Sequence, residues 1–464
     1  MAEKQEIINH IFLDRIESKM IRVHTVGGFS EVGRNMTCIE LDNDAFVFDC
    51  GLFLPPIVEL EERDREIYNE KALREIDAIP NDLVLDEKLR RKVRAILVSH
   101  AHLDHVGAVP YMAQRYPNAI IAGTPFTIEV LRTLMRDNNV KLKHELKPIT
   151  PNSSFKIGNY KIEFINITHS TVQASLVVLH TPKGAILYAN DFKFDNSPIL
   201  GKKPNYERLE QLKKEGVLAL VIDSLYSGTE RKTPSEKIAR DLLEEVMLTT
   251  NNKEACVIVS TFSSHIARLK SIVDFSKQLN RNILFLGRSL HKYVTAADRC
   301  SLVPFMGEIE MATYTNQVIK KLKQVEKERN KWVIVCTGHQ GEPGSILDRL
   351  VRGDLPFKFL KKDHVIFASS VIPSPVNLAN RDRLEKKLRD YGVRIFTDVH
   401  TSGHCGREDL RDMIYLVEPK HIIPAHGDLS KLTPMAELAT ELGYKLGKSV
   451  HLMQNGQTLD LDEK

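Results

Sequence analysis

The run Leu97-Val98-Ser99-His100-Ala101-His102-Leu103-Asp104-His105-Val106-Gly107 constrains this chain more than any other stretch. An apolar strand, 95–98, leads into four potential metal ligands packed into six positions, and then into a glycine. His100, His102 and Asp104 alternate, so an extended backbone throws all three to one side. His105, set against that alternation, reaches a second point a few ångströms away. Such a layout suits two ions rather than one. Imidazoles with a carboxylate and no sulfur fit Zn²⁺ best, with Mn²⁺ as the competitor. A plain polar loop would leave four crowded groups unpaired wherever it was buried.

At 464 residues the chain exceeds one small core and predicts about three domain-sized units. Its 42% hydrophobic and 27% charged residues are those of an ordinary globular protein. No run of 18 apolar residues occurs, and Met1-Ala2-Glu3-Lys4-Gln5-Glu6 lacks the apolar centre of a signal peptide, so no membrane is expected and the expected location is cytoplasmic. The six cysteines are dispersed with no CxxC pair, which suggests neither a disulfide framework nor a thiolate zinc site. A net charge of +4 from 65 basic and 61 acidic residues neither demands nor excludes a polyanion, so nucleic acid would have to use local basic patches.

Taken in order, Ile8, Ile11, Phe12 and Ile16 predict an amphipathic helix over residues 5–17, ahead of the main domain. Short strands follow at 20–25, 36–41 and 45–48, the last ending in Asp49-Cys50-Gly51. There the acid is either a turn former or a partner that orients a metal ligand. The charged stretch 59–94 predicts exposed helices over the site mouth. Strands return at 160–167, 175–180 and 185–189, the last two as a hairpin through Pro182-Lys183-Gly184. His169 and Asp191 sit at strand ends, and a site for two ions needs more ligands, including a carboxylate able to touch both.

From about residue 207 the texture becomes βαβα, which predicts a parallel sheet flanked by helices, starting with a strand at 217–222. Polar loops close its strands: Ser263-Ser264, Arg288-Ser289 after Gly287, Gly338-His339-Gln340-Gly341-Glu342-Pro343, and Ser369-Ser370. Loops at the carboxyl ends of parallel strands, with small residues ahead of helices, suit phosphate oxygens. Late in the chain come His400-Thr401-Ser402-Gly403-His404, a helix at 408–417, a strand at 421–423, Pro424-Ala425-His426-Gly427 and a helix at 434–442. If the fold returns to its first domain, His426 completes the shell of a second ion and His404 stands beside it as a proton donor.

These motifs resemble the metallo-β-lactamase superfamily: Asp49, His100-x-His102-x-Asp104-His105, His169, Asp191 and His426, in that order. The inserted block, with Asp223-Ser224 after a strand and His404 ahead of His426, resembles the β-CASP nucleases. Within that group the chain is similar to the ribonuclease J family. The likeness rests on Gly27-Gly28-x-x-Glu31-x-Gly33-x-Asn35, Asp191-Phe192-Lys193, Gly287-Arg288-Ser289, Thr337-Gly338-x-Gln340-Gly341-Glu342-Pro343, Ser402-Gly403-His404 and Pro424-x-His426-Gly427. It covers roughly residues 20 to 458. Bacterial members usually carry a further C-terminal domain that is not seen here, so the archaeal branch is the better match. After His169 the chain reads Ser170-Thr171-Val172-Gln173-Ala174-Ser175, where bacterial relatives commonly have a proline and an aspartate.

The resemblance implies an αββα metallo-β-lactamase sandwich carrying an inserted α/β domain. The expected spans are an extension at 1–19, the first part of the sandwich at 20–206, the β-CASP domain at 207–396 and the second part of the sandwich at 397–464. It further implies that His100, His102 and His169 hold one Zn²⁺, that Asp104, His105 and His426 hold another, and that Asp191 bridges them. Asp49 then orients a ligand from behind, and His404, positioned by Asp223, protonates the leaving oxygen. The implied activity is a 5′-to-3′ exoribonuclease on single-stranded RNA that prefers 5′-monophosphate ends, with endonuclease activity as well. Ser263, Ser264, Arg288, Ser289, Ser369, Ser370, His400, Ser402 and Gly403 are the expected phosphate-binding positions. A homodimer and association with other RNA-decay proteins are expected. The competing readings are a β-CASP endonuclease indifferent to the 5′ end, a small-ester hydrolase on the same scaffold, and a metal-free scaffold subunit. The ester hydrolase leaves the inserted domain without a purpose, and the scaffold leaves the full ligand set without one.

Overall fold

A computed structural model describes residues 20–59, 69–372 and 375–461. The helix expected at 5–17 and part of the charged stretch 59–94 lie outside them; within that stretch Glu70–Glu75 and Glu87–Lys92 are helical.

Three sheets organise the chain. The first has seven strands in the order Thr458–Asp460, Ile21–Gly27, Met36–Leu41, Asp44–Phe48, Val93–Val98, Ile120–Gly123, Leu146–Pro148. The second has six, His421–Ala425, Val217–Asp223, Gly184–Ala189, Ser175–Thr181, Tyr160–Asn166, Ser153–Ile157. Their central strands are apolar on both faces because both faces are covered. In Asp44–Phe48 the period of two sends Phe46 and Phe48 to one side and Ala45 and Val47 to the other. Phe46 packs edge-on against Tyr160 at 5.4 Å and Phe48 against Tyr188 at 5.2 Å, so the two sheets face each other across one core. Helices cover the outer faces: Pro125–Asp137 lies over the first sheet, and Tyr206–Glu215, Arg407–Val417 and Leu429–Glu441 lie over the second. The result is an αββα sandwich.

The third sheet is wholly parallel, in the order Glu310–Ala312, Asn282–Leu286, Trp332–Cys336, Val257–Ser260, His364–Phe367, Arg394–Phe396. Helices Ile266–Gln278 and Arg288–Arg299 cover one face; Thr315–Val325, Ile346–Arg352 and Pro375–Asp390 cover the other. The apolar core on its first face is continuous with the outer core of the first sheet. Lys292 pairs with Asp137 at 2.5 Å across that contact. Among the described residues, no helix is long and apolar enough to cross a membrane.

Two expectations need correction. The strand expected at 217–222 to open the inserted sheet instead pairs in parallel with Gly184–Ala189 and His421–Ala425, inside the second sheet of the sandwich. A buried parallel strand after a helix looks the same in sequence whichever sheet it joins. The helix expected at 434–442 runs from Leu429 to Glu441 with Pro434 inside it, because Asp428 caps the earlier start by accepting the Ser430 N–H at 2.8 Å.

Candidate metal centre

Three strands of the facing sheets end in a non-glycine residue with a left-handed backbone: Asp49 at φ +58°, Asp191 at +56° and His426 at +62°. Aspartate tolerates this conformation better than most residues, whereas a histidine there is strained, and such strain gathers where geometry serves function. Each turn swings its side chain into the gap between the carboxyl ends of the two sheets.

Two sets of side chains offer nitrogen or oxygen atoms within 4.8 Å of one another: His100, His102, His169 and Asp191; and Asp104, His105, Asp191 and His426. The sets share Asp191. A third group, Asp191, Asp223 and His404, adjoins them. The residues expected from sequence to act together are thus neighbours, drawn from loops as far apart as His100 and His426.

Hydrogen bonds behind the rings decide which nitrogen faces inward. His105 Nδ1 lies 2.7 Å from Asp49 Oδ2, leaving Nε2 toward Asp191 Oδ2 at 3.1 Å. Ser99 Oγ donates to the same carboxylate at 2.9 Å and lies 3.0 Å from His100 Nδ1. A relay from His100 Nδ1–H to Ser99 to Asp49 leaves His100 Nε2 as a lone pair. His169 Nδ1 donates to the Gly403 carbonyl at 2.7 Å, with the same result at its Nε2. Asp49 is therefore more than a turn former: it orients two rings. Gly51 must be glycine, since a Cβ there would fall 1.6 Å from the Asp104 carbonyl oxygen.

His102 Nδ1 lies 3.2 Å from His100 Nε2 and 3.1 Å from His169 Nε2. Tetrahedral zinc with nitrogen ligands has edges of about 3.3 Å, so the donor set fits a metal of this size. Asp191 supplies a second test, for it is fully buried and its Oδ1 has no hydrogen-bond partner, a costly state that a cation relieves. Protonation agrees. Burial, reinforced by its histidine neighbours, holds His100 and His169 well below the usual imidazole range, and burial takes His102 down to about 4 against the pull of Asp104 and Asp191. These rings are neutral and able to ligate. Burial opposes ionisation of Asp191, but His105, His426 and His404 keep it ionised.

His404 stands at the edge of the cluster. Its Nδ1 meets Asp223 Oδ2 at 2.8 Å and its Nε2 lies 3.9 Å from Asp191 Oδ2. Burial disfavours its charge, yet Asp223 and Asp191 push it up to about 9. Ser402 Oγ accepts the His404 N–H at 3.0 Å and shapes this turn.

The expected phosphate-binding positions divide into groups. The loops after Val257–Ser260 and His364–Phe367 are adjacent, with Thr261 Oγ1 donating to the Ala368 carbonyl at 3.1 Å, so Ser263, Ser264, Ser369 and Ser370 lie on neighbouring loops at one end of the sheet. Buried Arg268 binds the carbonyls of Ala368 at 2.6 Å and Val399 at 3.2 Å, which brings the segment of His400 to the same place. Arg288 and Ser289 are exposed one strand farther off, beyond Trp332–Cys336. Ser402 and Gly403 support His404 and His169. Sequence reasoning passed over His339, a buried ring against Phe262 at 4.0 Å with neither nitrogen paired. The glycines around it marked a loop, and nothing in the sequence said that the loop folds inward.

Comparison with known proteins bears on the whole length. Residues 30–246 match the metallo-beta-lactamase superfamily, residues 254–382 the beta-CASP domain of ribonuclease J, and residues 390–452 the Zn-dependent metallo-hydrolase RNA specificity domain. Ribonuclease J of Methanocaldococcus jannaschii is 41% identical over 445 residues, covering 95% of this chain and 99% of that one. Ribonuclease J of Pyrococcus abyssi is 40% identical, covering 96% and 98%. Ribonuclease J of Helicobacter pylori is 28% identical over 98% of this chain but 63% of its own. A crystal structure of a protein of unknown function from Enterococcus faecalis V583 shares the fold, with a TM-score of 0.63 at 16% identity over 95% of this chain and all of that one. Identity of this extent to the two archaeal proteins, on a fold that gathers the histidines and aspartates of the motif into one centre, settles the lineage: the chain belongs to the ribonuclease J family of metal-dependent nucleases.

Proposed function

We propose that this protein is a zinc-dependent ribonuclease that degrades single-stranded RNA from a 5′-monophosphate end toward the 3′ end, releasing mononucleotides and cutting internally more slowly. The observation that carries the reading is the sharing of Asp191 by two ligand sets, with the Asp223–His404 pair alongside. His100, His102 and His169 would hold one ion, Asp104, His105 and His426 a second, and Asp191 both, with Mn²⁺ as the alternative to Zn²⁺. When bound, such a pair acidifies water near neutral pH and offsets charge on a phosphate.

The chain's own residues supply the rest. Asp223 fixes His404 Nδ1, so Nε2–H points toward the cluster and delivers its proton to the leaving 3′ oxygen. Asp223, which faces His404 Nδ1, favours the protonated ring. The preference for the 5′ end is supported by the strand-end loops, where the buried Ser369 hydroxyl, His339 ring and His400 Nδ1 have no partners. Unpaired donors suit a terminal phosphate, which carries more charge than an internal diester.

One internally labelled oligomer decides the matter when prepared with 5′-monophosphate, 5′-hydroxyl and 5′-triphosphate ends and as a circle. The monophosphate form is expected to disappear fastest, yielding mononucleotides. A circle degraded at the same rate would rule out dependence on the 5′ end, while leaving the ribonuclease in place.

A further inference from the structure

The segment Gly27-Gly28-x-x-Glu31-x-Gly33-x-Asn35 contributes none of the proposed ligands, yet its last residue touches one ligand set at almost every point. Asn35 is 1% exposed. Its Nδ2 donates to the Asp104 carbonyl at 3.2 Å and lies 3.1 Å from His105 Nε2. Its Oδ1 accepts from Asn190 Nδ2 at 2.9 Å and lies 3.0 Å from His426 Nδ1. Its backbone N–H also binds the Asp104 carbonyl, at 3.0 Å. His105 Nε2 is the nitrogen turned toward the ion, so the bonds that brace are those to Asp104, to His426 and to the neighbour of Asp191. No hydrogen bond joins its side chain to His100, His102 or His169 among the described residues.

The loop around Asn35 is built to admit this contact. A Cβ on Gly28, at φ +86°, would fall 2.4 Å from Asn35 Oδ1, so the approach requires glycine. The Gly28 carbonyl accepts the His426 N–H at 2.6 Å, which seats the strained histidine. Glu31 Oε1 accepts the Gly28 N–H at 2.9 Å, and Asn455 Nδ2 donates to Glu31 Oε2 at 2.8 Å, tying the loop to the C-terminal return.

We infer that Asn35 is a positioning residue for one of the two ions, the one held by Asp104, His105 and His426, and that it has no corresponding role for the other. The inference rests on the two-ion reading above. Its physical basis is the origin of the ligands. His100 and His102 are two positions apart on one segment, and His169 is held by a carbonyl. Asp104–His105 and His426 come from segments far apart in the chain, and the Asn35 amide is a side chain that touches both. Partners of this kind are worth about 10- to 100-fold in metal affinity.

The test is Mn²⁺ binding to the apo protein by equilibrium dialysis, with electron paramagnetic resonance to separate a coupled ion pair from a single ion. Wild type is expected to bind two ions and give a coupled spectrum. Asn35→Ala should bind one ion with unchanged affinity and the second 10- to 100-fold more weakly, giving a single-ion spectrum at intermediate Mn²⁺. Asn35→Asp keeps the acceptor facing His426 and Asn190 and should lie between the two. Two ions bound by Asn35→Ala as tightly as by wild type would overturn the inference. Equal weakening at both sites would overturn it too, since that is general loss of fold. If circular dichroism shows Asn35→Ala unfolded, Asn35→Asp carries the same readings. Wild type binding a single ion would instead refute the two-ion reading itself.

Discussion

The carboxyl ends of the sandwich sheets and those of the inserted sheet are built from opposite materials. In the sandwich, strands end in Asp49, Asp191 and His426, non-glycine residues bent into the left-handed region, and the side chains behind them are tied to serine, asparagine or carbonyl partners. In the inserted sheet, two central strands run into loops where Gly287 at φ +106° and Gly338 at +119° take up the awkward backbone. The first arrangement stores strain in order to aim ligands. The second leaves the Ser369 hydroxyl and the His339 ring without hydrogen-bond partners, and the proposed end recognition rests on them. If the proposed function holds, chemistry and end recognition sit on two surfaces and are broken by different substitutions.

The largest expected effect is at the shared ligand. Asp191→Ala should lower RNA hydrolysis by about 10⁴-fold or more, because it belongs to both sets and the site acts as a unit. Elemental analysis should show metal lost as well, and an active variant with full metal would remove Asp191 from the centre. His404→Ala comes next, with a loss of about 10²- to 10⁴-fold and both ions retained. If that variant sheds an ion, His404 is a ligand and its role as proton donor falls.

A smaller and more selective effect is expected from Gly403→Ala. The new Cβ would lie 2.9 Å from His169 Nδ1 and 2.7 Å from Ser170 Oγ, so the ring must move. Affinity at the histidine-rich set should drop about 10- to 100-fold, the converse of the pattern expected for Asn35→Ala. Metal titration would expose the assignment as wrong if the other set weakened instead. On the inserted side, Ser369→Ala should reduce the preference for 5′-monophosphate over 5′-hydroxyl ends by about tenfold, the worth of one hydrogen bond to a charged group. Because that buried hydroxyl has no partner in the free protein, thermal stability should hold or rise slightly. A preference that survives the substitution would move the pocket elsewhere.

The mildest test is of pH. Glu236 spans the contact between the two regions, receiving Arg268 Nε at 2.5 Å and facing His265 at 3.3 Å. Burial opposes its ionisation, but His265 and Arg268 hold its carboxyl well below the ordinary value of 4.5. A depressed carboxylate contributes stability above its unfolded value and loses it as the pH falls through the folded one. Thermal melts should therefore weaken on acidification below about pH 4.5, and less steeply in Glu236→Gln. An identical acid profile in that variant would assign the loss to other groups.

Much of this molecule is legible in its residues because local rules wrote it. The alternation of Phe46 and Phe48 with Ala45 and Val47 and the hairpin through Pro182 follow from backbone periods of a few residues. The extended run expected to put His100, His102 and Asp104 on one side does not hold: Leu103–Val106 turns into a helix, which sets Asp104 beside His105 instead. Other features depend on chain segments meeting in space, which no local period encodes. Whether Val217–Asp223 would lie in the sandwich or in the insert depended on the return of His421–Ala425 beside it. The Gly403 carbonyl reaches His169 across 234 residues, and Asn35 reaches His426 across 391. Each of these bonds satisfies a polar group that folding has removed from water, and the partner is whichever group the packed sheets bring within about 3 Å. The residue types able to bind metal were readable in advance, whereas their tautomers, their strain and the amide that braces them were decided by tertiary packing.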